Sequence, residues 1–263
     1  MTVRVVGVDC ATEAAEVGLA AGHVDDRGVL TLDEVERGSG RGSLASALAP
    51  RIRDLLGELP QAVLALDAPL GWPRPLAEAL TVHRAGVRLG VGGAANRYFH
   101  RRTDDVVREH TTKIPLEVGA NFIARTAFIA LELLHALREH PADLPLIWNA
   151  NTPRSPGVIE VYPAATLLAR GLSPKKYKSR DVEERAVARR KIIDTLRTEI
   201  AVDEEMEGKM LASDHVLDAV LCCLGAADFL AGNVVVPNDL ELELAHTEGW
   251  IWFKPPAPLL AHG

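Results

Sequence analysis

The sequence predicts an α/β protein, a mixed β-sheet flanked by helices. Three patterns point there. Residues 3–8 are a short, β-branched run and 62–66 a continuous apolar one, each ended by an aspartate, Asp9 and Asp67; such runs read as buried strands. Residues 16–21 and 29–36, separated by the turn His23-Val24-Asp25-Asp26-Arg27-Gly28, read as antiparallel strands of a meander. Between the meander and Asp67 lies a helical stripe formed by Leu44, Leu48, Ile52, Leu55 and Leu56. A strand–helix–strand order implies a right-handed crossover, so the strand before Asp67 is expected to lie parallel to the first.

Each further element has a local reason. Ser43 is placed to cap the helix that runs to about Gly57. Pro69 stops the second apolar strand, and Pro163 stops a third over residues 158–162. Residues 70–150 read as a largely helical insertion. It holds the flexible loop Gly90-Val91-Gly92-Gly93, a basic stretch over 97–102 and a long helix over about 118–138. The Pro- and Asn-rich residues 148–157 read as a loop. Helices are expected over roughly 164–170, 181–200 and 211–231, and the aromatic tail 248–253 as a late strand or a strap across the core. No repeat or linker interrupts the chain, which predicts one elaborated domain over 1–263.

Composition narrows the function. With 48% hydrophobic and 25% charged residues the chain has enough apolar material for a real core. No apolar run spans a bilayer and no signal-peptide pattern stands at the N-terminus, which predicts a cytoplasmic protein away from membranes. Cys10, Cys222 and Cys223 have neither zinc spacing nor a disulfide framework and read as small apolar filler. A net charge of −7 counts against a protein that simply coats phosphates. It is compatible with an enzyme whose acidic site and basic groove lie apart.

The acids carry the chemistry. Asp9 and Asp67 end neighbouring parallel strands at one edge, outside the carboxyl ends where such sheets bind ligands. Asp214 and Asp218, four apart after the cap Ser213, share a helix face, and His215 reaches the same edge. Asp214 alone is equally explained by the helix dipole. Close carboxylates repel by on the order of 1–4 kcal/mol per pair at surface-like dielectric. Mg²⁺ or Mn²⁺ relieves that repulsion and suits hard oxygen ligands.

Gly7-Val8-Asp9-Cys10-Ala11, Leu66-Asp67-Ala68-Pro69-Leu70, Arg102-Thr103-Asp104, Glu160-Val161-Tyr162-Pro163, residues 214–219 and Glu248-Gly249-Trp250-Ile251 occur in one order. Together they resemble domain-of-unknown-function family 429, described as predicted nucleases with a ribonuclease H-like fold. His215-Val216-Leu217-Asp218-Ala219 is also similar to the last motif of RuvC-type resolvases. The resemblance implies a ribonuclease H-like sheet with Asp9, Asp67 and Asp218 as metal-binding acids, and Asp214 or His215 as a fourth ligand or proton carrier. The insertion is large for a minimal fold of this type.

Several residues read two ways. Glu160 stands inside an apolar strand, so it belongs either to the acidic edge or to an ion pair with an arginine of the insertion. Arg97, Arg101 and Arg102, with Tyr98 and Phe99, suit phosphate contact and stacking, or a solvated surface. Lys175 and Lys176, in a basic patch with Lys178 and Arg180 around Tyr177, suit a substrate groove. The leading expectation is a divalent-metal-dependent phosphodiesterase or nuclease acting on nucleic acid or a nucleotide. The alternatives are a phosphotransferase of the actin-like kinase type, which needs glycine-rich phosphate turns where this chain has Cys10-Ala11-Thr12 after Asp9 and Ala68-Pro69 after Asp67, and a non-catalytic interaction module on the same scaffold.

Overall fold

The computed structural model describes residues 2–256 except 41–43, 59–60, 88, 90–94, 120, 139–143 and 150–155. The expected cap Ser43, the Gly90–Gly93 loop and much of the 148–157 loop lie outside the described residues.

Among the described residues six strands form one sheet in the order β5-β4-β1-β2-β3-β6. They are β1 (Val3–Asp9), β2 (Gly18–Val24), β3 (Leu30–Arg37), β4 (Ala62–Asp67), β5 (Gly157–Glu160) and β6 (Ile200–Ala201). β1, β2 and β3 make the antiparallel meander, while β4 lies parallel to β1 and β5 parallel to β4. This antiparallel meander, continued from its first strand by two parallel strands, is a ribonuclease H-like arrangement. The meander is shifted from its expected place: a 3-10 turn over Ala14–Glu16 delays β2, which continues through His23 to Val24. β6, a two-residue strand parallel to β3, was not expected from the pattern. It falls where the sequence suggested one helix over 181–200.

Residue parity divides the core. Val5, Val63, Ala65 and Ile159 point to one face, where α8 (Asp214–Leu230) crosses the sheet. Val6, Val8, Leu64, Leu66 and Val158 point to the other, against α1 (Leu44–Leu56) and α4 (Asn121–Arg138). Both faces are apolar because both are covered, as the unbroken apolar runs anticipated. α8 sits close to β1 and β2 because glycines lie beneath it. A Cβ on Gly7 would come 2.1 Å from the Ala219 carbonyl oxygen, and one on Gly18 would come 1.8 Å from that of His215.

The segment between β4 and β5 contains α2 (Arg74–Leu80), α3 (Arg102–Thr111) and α4. After β5 come α5 (Pro163–Leu168), α6 (Val182–Leu196), α7 (Glu204–Ala212), α8 and α9 (Asp239–Glu248). β5 ends at Glu160, two residues short of the strand expected over 158–162, and Pro163 begins a helix and does not stop the strand. The helix expected over 211–231 is in fact two: the chain turns by 118° at Ser213, which accepts a cap bond from Val216 N–H. α9 was not expected, although its Asn238/Glu241 capping box stands in the sequence. The tail is a strap: Trp252 N–H donates to the Glu160 carbonyl oxygen, and the Trp252 ring meets Phe229 edge-on at 4.9 Å. Among the described residues no single helix is long and apolar enough to cross a membrane.

Candidate metal centre

Pairing register places Asp9 directly beside Asp67 at the carboxyl ends of β1 and β4. Both continue the odd-numbered series, so both face α8. That helix, held down over Gly7 and Gly18, presents Asp218 to them. One carboxylate oxygen from each of Asp9, Asp67 and Asp218 lies within 4.8 Å of the others. Glu160 pairs with Leu66 in register and takes the opposite parity. A one-residue difference along a strand thus separates it from the trio.

The three acids have different partners. Asp9 Oδ2 lies 2.6 Å from His215 Nδ1. Asp218 is fully buried; its Oδ1 accepts from the Tyr177 hydroxyl at 2.9 Å, and Lys178 Nζ stands 2.5 Å from Oδ2. Oδ2 is thus ion-paired to the lysine and takes no further hydrogen bond among the described residues. Asp67 is partly buried and has no hydrogen bond or ion pair among the described residues.

Electrostatics follow from this crowding. Burial first, then the charges of Asp9 and Asp218, push the Asp67 carboxyl well above its ordinary range. Burial also pushes Asp218 up to about 6, with Lys178 opposing the shift and Asp9 adding to it. The hydrogen bond to Asp9 raises His215. Burial lowers Lys178, but Asp218, then Asp9, outweigh it and the net shift is upward. Three hard-oxygen donors within 4.8 Å of one another, one of them without a hydrogen bond or ion pair among the described residues, fit a divalent cation of the Mg²⁺ or Mn²⁺ kind.

A cavity of about 400 Å³ opens onto the centre, with Asp67, Asp218, Tyr177 and Lys178 in its wall. Its other sides come from the end of β4, the segment before and within α4, and the start of α5.

Of the other sequence candidates, Arg101 and Glu160 stand in the wall of the same cavity as a buried pair, and the rest lie outside that wall. Asp214 is bound to Arg189 at 3.0 Å instead of joining the acids. His215 reaches Asp9, as its position suggested. Arg101, expected at phosphates or on a solvated surface, is 2% exposed. Its guanidinium is divided between Glu160 (2.7 and 2.9 Å) and Asp104 (3.0 and 3.3 Å). A buried carboxylate in a strand needs a cation more than solvent phosphate does, so Glu160 takes the arginine pair. Arg102 bonds Glu109 and Glu241. Arg97 is exposed on the 3-10 turn Ala95–Tyr98, away from the cavity wall. Lys176 pairs with Glu184, and Lys175 and Lys176 line a different cavity beside α6.

Sequence reading missed Tyr177 and Lys178 as site residues. It grouped them in a basic patch, and only a loop closing back from far along the chain brings them to Asp218. Arg189 locks that loop, donating to the Tyr177 carbonyl at 2.8 Å and the Leu211 carbonyl at 2.9 Å while holding Asp214.

Two solved structures resemble the chain in arrangement. The RuvC structure from Thermus thermophilus is 15% identical, with 87% of this chain and 96% of that one covered and a TM-score of 0.38. The T. thermophilus RuvC in complex with a Holliday junction substrate is 15% identical, with 88% and 95% covered and a TM-score of 0.36. No curated protein matches the sequence. The family model described as "Protein of unknown function (DUF429)" matches residues 7–242, and the chain belongs to that family.

Proposed function

We propose that the protein is a divalent-metal-dependent phosphodiesterase acting on nucleic acid or a nucleotide, with Asp9, Asp67 and Asp218 as the ligands of Mg²⁺ or Mn²⁺. The observation that carries this reading is the convergence of three carboxylates at a cavity, Asp67 making no hydrogen bond or ion pair among the described residues. Bound there, the ion supplies Lewis acidity to activate water and to neutralise charge on the phosphate.

The protein's own groups have distinct tasks. Tyr177 fixes the orientation of Asp218, and Arg189 fixes the loop that carries Tyr177 and Lys178. Water adds to phosphorus as the ester P–O bond breaks, and the leaving oxygen requires a proton. His215, raised by Asp9 and partly open to solvent, is the group suited to exchange one. Lys178, held charged by the acids, offers the phosphate a fixed positive charge. Asp214 stays outside the chemistry as the anchor of Arg189. In this reading residues about 70–150 are an insertion within one domain. Three buried free thiols support a reducing, cytoplasmic setting.

The test is cleavage of labelled single-stranded, duplex, hybrid and branched nucleic acids with Mg²⁺ or Mn²⁺, using wild type, Asp9→Asn and Asp218→Asn. The expected result is metal-dependent cutting that falls by on the order of 1,000-fold in both variants, equivalent to about 4 kcal/mol of barrier. Cutting that survives either substitution would contradict the assignment.

A further inference from the structure

We infer that the cavity at the acids accepts one unpaired nucleotide unit, so that the phosphodiester presented belongs to a single strand or a short oligonucleotide and not to a paired duplex. The inference rests on the phosphodiesterase reading and adds its substrate class. The cavity measures about 400 Å³, which is nucleotide-scale. Leu116 and Ile123, from the segment joining β4 to β5, share its wall with Tyr162 and Pro163. These form an apolar face against which a base can lie, beside the acids that would meet its phosphate.

Cations are placed to match. Lys113 lines the same cavity as Asp67 and Asp218, is exposed, and has no acidic partner among the described residues. Arg101, Arg102 and Lys176 are all committed to carboxylates of the protein. A duplex binder needs a row of free cations along the phosphate backbone. This protein, with a net charge of −7 and Arg101, Arg102 and Lys176 paired to its own acids, offers instead a cavity with Lys113 at it, Lys178 there being paired to Asp218.

Fluorescence anisotropy with a labelled single-stranded hexanucleotide and with a matched short duplex, both in Ca²⁺, tests the inference. Wild type, Lys113→Gln and Lys191→Gln are compared; Lys191 lies on the separate cavity beside α6. Single strand is expected to bind at least about ten-fold tighter than duplex, a preference worth about 1.4 kcal/mol. Lys113→Gln should weaken it several-fold with thermal stability unchanged, and Lys191→Gln should leave it as in wild type. Competition by a mononucleotide as effective as the hexanucleotide would assign the cavity to small nucleotides within the same class. Equal or tighter duplex binding, no binding, or no effect of Lys113→Gln overturns the inference. Parallel cleavage in Mn²⁺ separates the two ideas. Metal-dependent cutting with duplex preference overturns the cavity assignment alone, whereas single-strand binding with no cutting supports the cavity and overturns hydrolysis.

Discussion

Asp67 ends β4 beside two other carboxylates, and among the described residues no hydrogen bond or ion pair offsets its charge. Its neutral isostere therefore relieves repulsion in the metal-free protein. Asp67→Asn is expected to raise the metal-free melting temperature by roughly 2–4 °C, for about 1 kcal/mol of relieved repulsion. Mn²⁺ should stabilise wild type and leave the variant's melting curve unchanged; scanning fluorimetry with and without the ion reads both. Tyr177→Phe acts in the opposite way, because it leaves Asp218 Oδ1 without a donor. It should weaken Mn²⁺ binding by about 10–100-fold, as loss of a ligand's orienting partner does, read by calorimetric titration. At this scale much was legible. Asp9 and Asp67 stand at the ends of apolar runs, and Asp218 and His215 follow a readable cap. Tyr177 and Lys178 were not, since nothing local marks which face of a basic loop will close on an acid. Arg101 misled for a related reason: the strand acid Glu160 that claims it lies 59 residues away.

Elements set the spacing of these residues. α8 reaches the sheet only because Gly7 and Gly18 carry no side chain, and that approach brings Asp218 to Asp9. Gly7→Ala must push the helix outward or strain β1, so loss of metal binding should accompany destabilisation of about 1–3 kcal/mol, the usual cost of overpacking. Chemical unfolding and a Mn²⁺ titration on the same sample check it. Arg101 ties the start of α3 to β5 and to the strap after α9, donating also to the Glu248 carbonyl at 3.1 Å. Arg101→Met leaves Asp104 and Glu160 buried without their cation, and is expected to cost about 3–5 kcal/mol in urea unfolding. Adding Glu160→Gln should recover part of that loss. The strands, α1 and the α8 stripe were visible as period and punctuation. α9 was overlooked although Pro237, the Asn238 cap and Gly249 bound it, because its short run has no marked apolar stripe; Ser213 was read as a cap, but the apolar residues before it hid a second helix turning there.

Across the whole molecule, the centre should show itself in pH dependence. Asp218, pushed up to about 6, and His215, also raised, both hold protons more tightly folded than unfolded. The His215 contribution is full below its unfolded value and lost as pH rises through the folded one. The Asp218 contribution appears as pH falls through about 6 and is complete below the unfolded value of 3.8. Metal-free protein should therefore gain stability, on the order of 1–3 kcal/mol, between pH 8 and pH 5. Affinity for a cation should run the other way, rising with pH as Asp67 and Asp218 lose their protons. A melting temperature that climbs from pH 5 to pH 8 without metal would contradict this account of the charges.

The most direct measurement is a calorimetric titration of Mn²⁺ into wild type and Asp67→Asn at pH 8. Saturable binding by wild type, weakened at least about ten-fold in the variant, is the predicted result. No binding, or equal binding by both proteins, would contradict a metal centre at Asp9, Asp67 and Asp218.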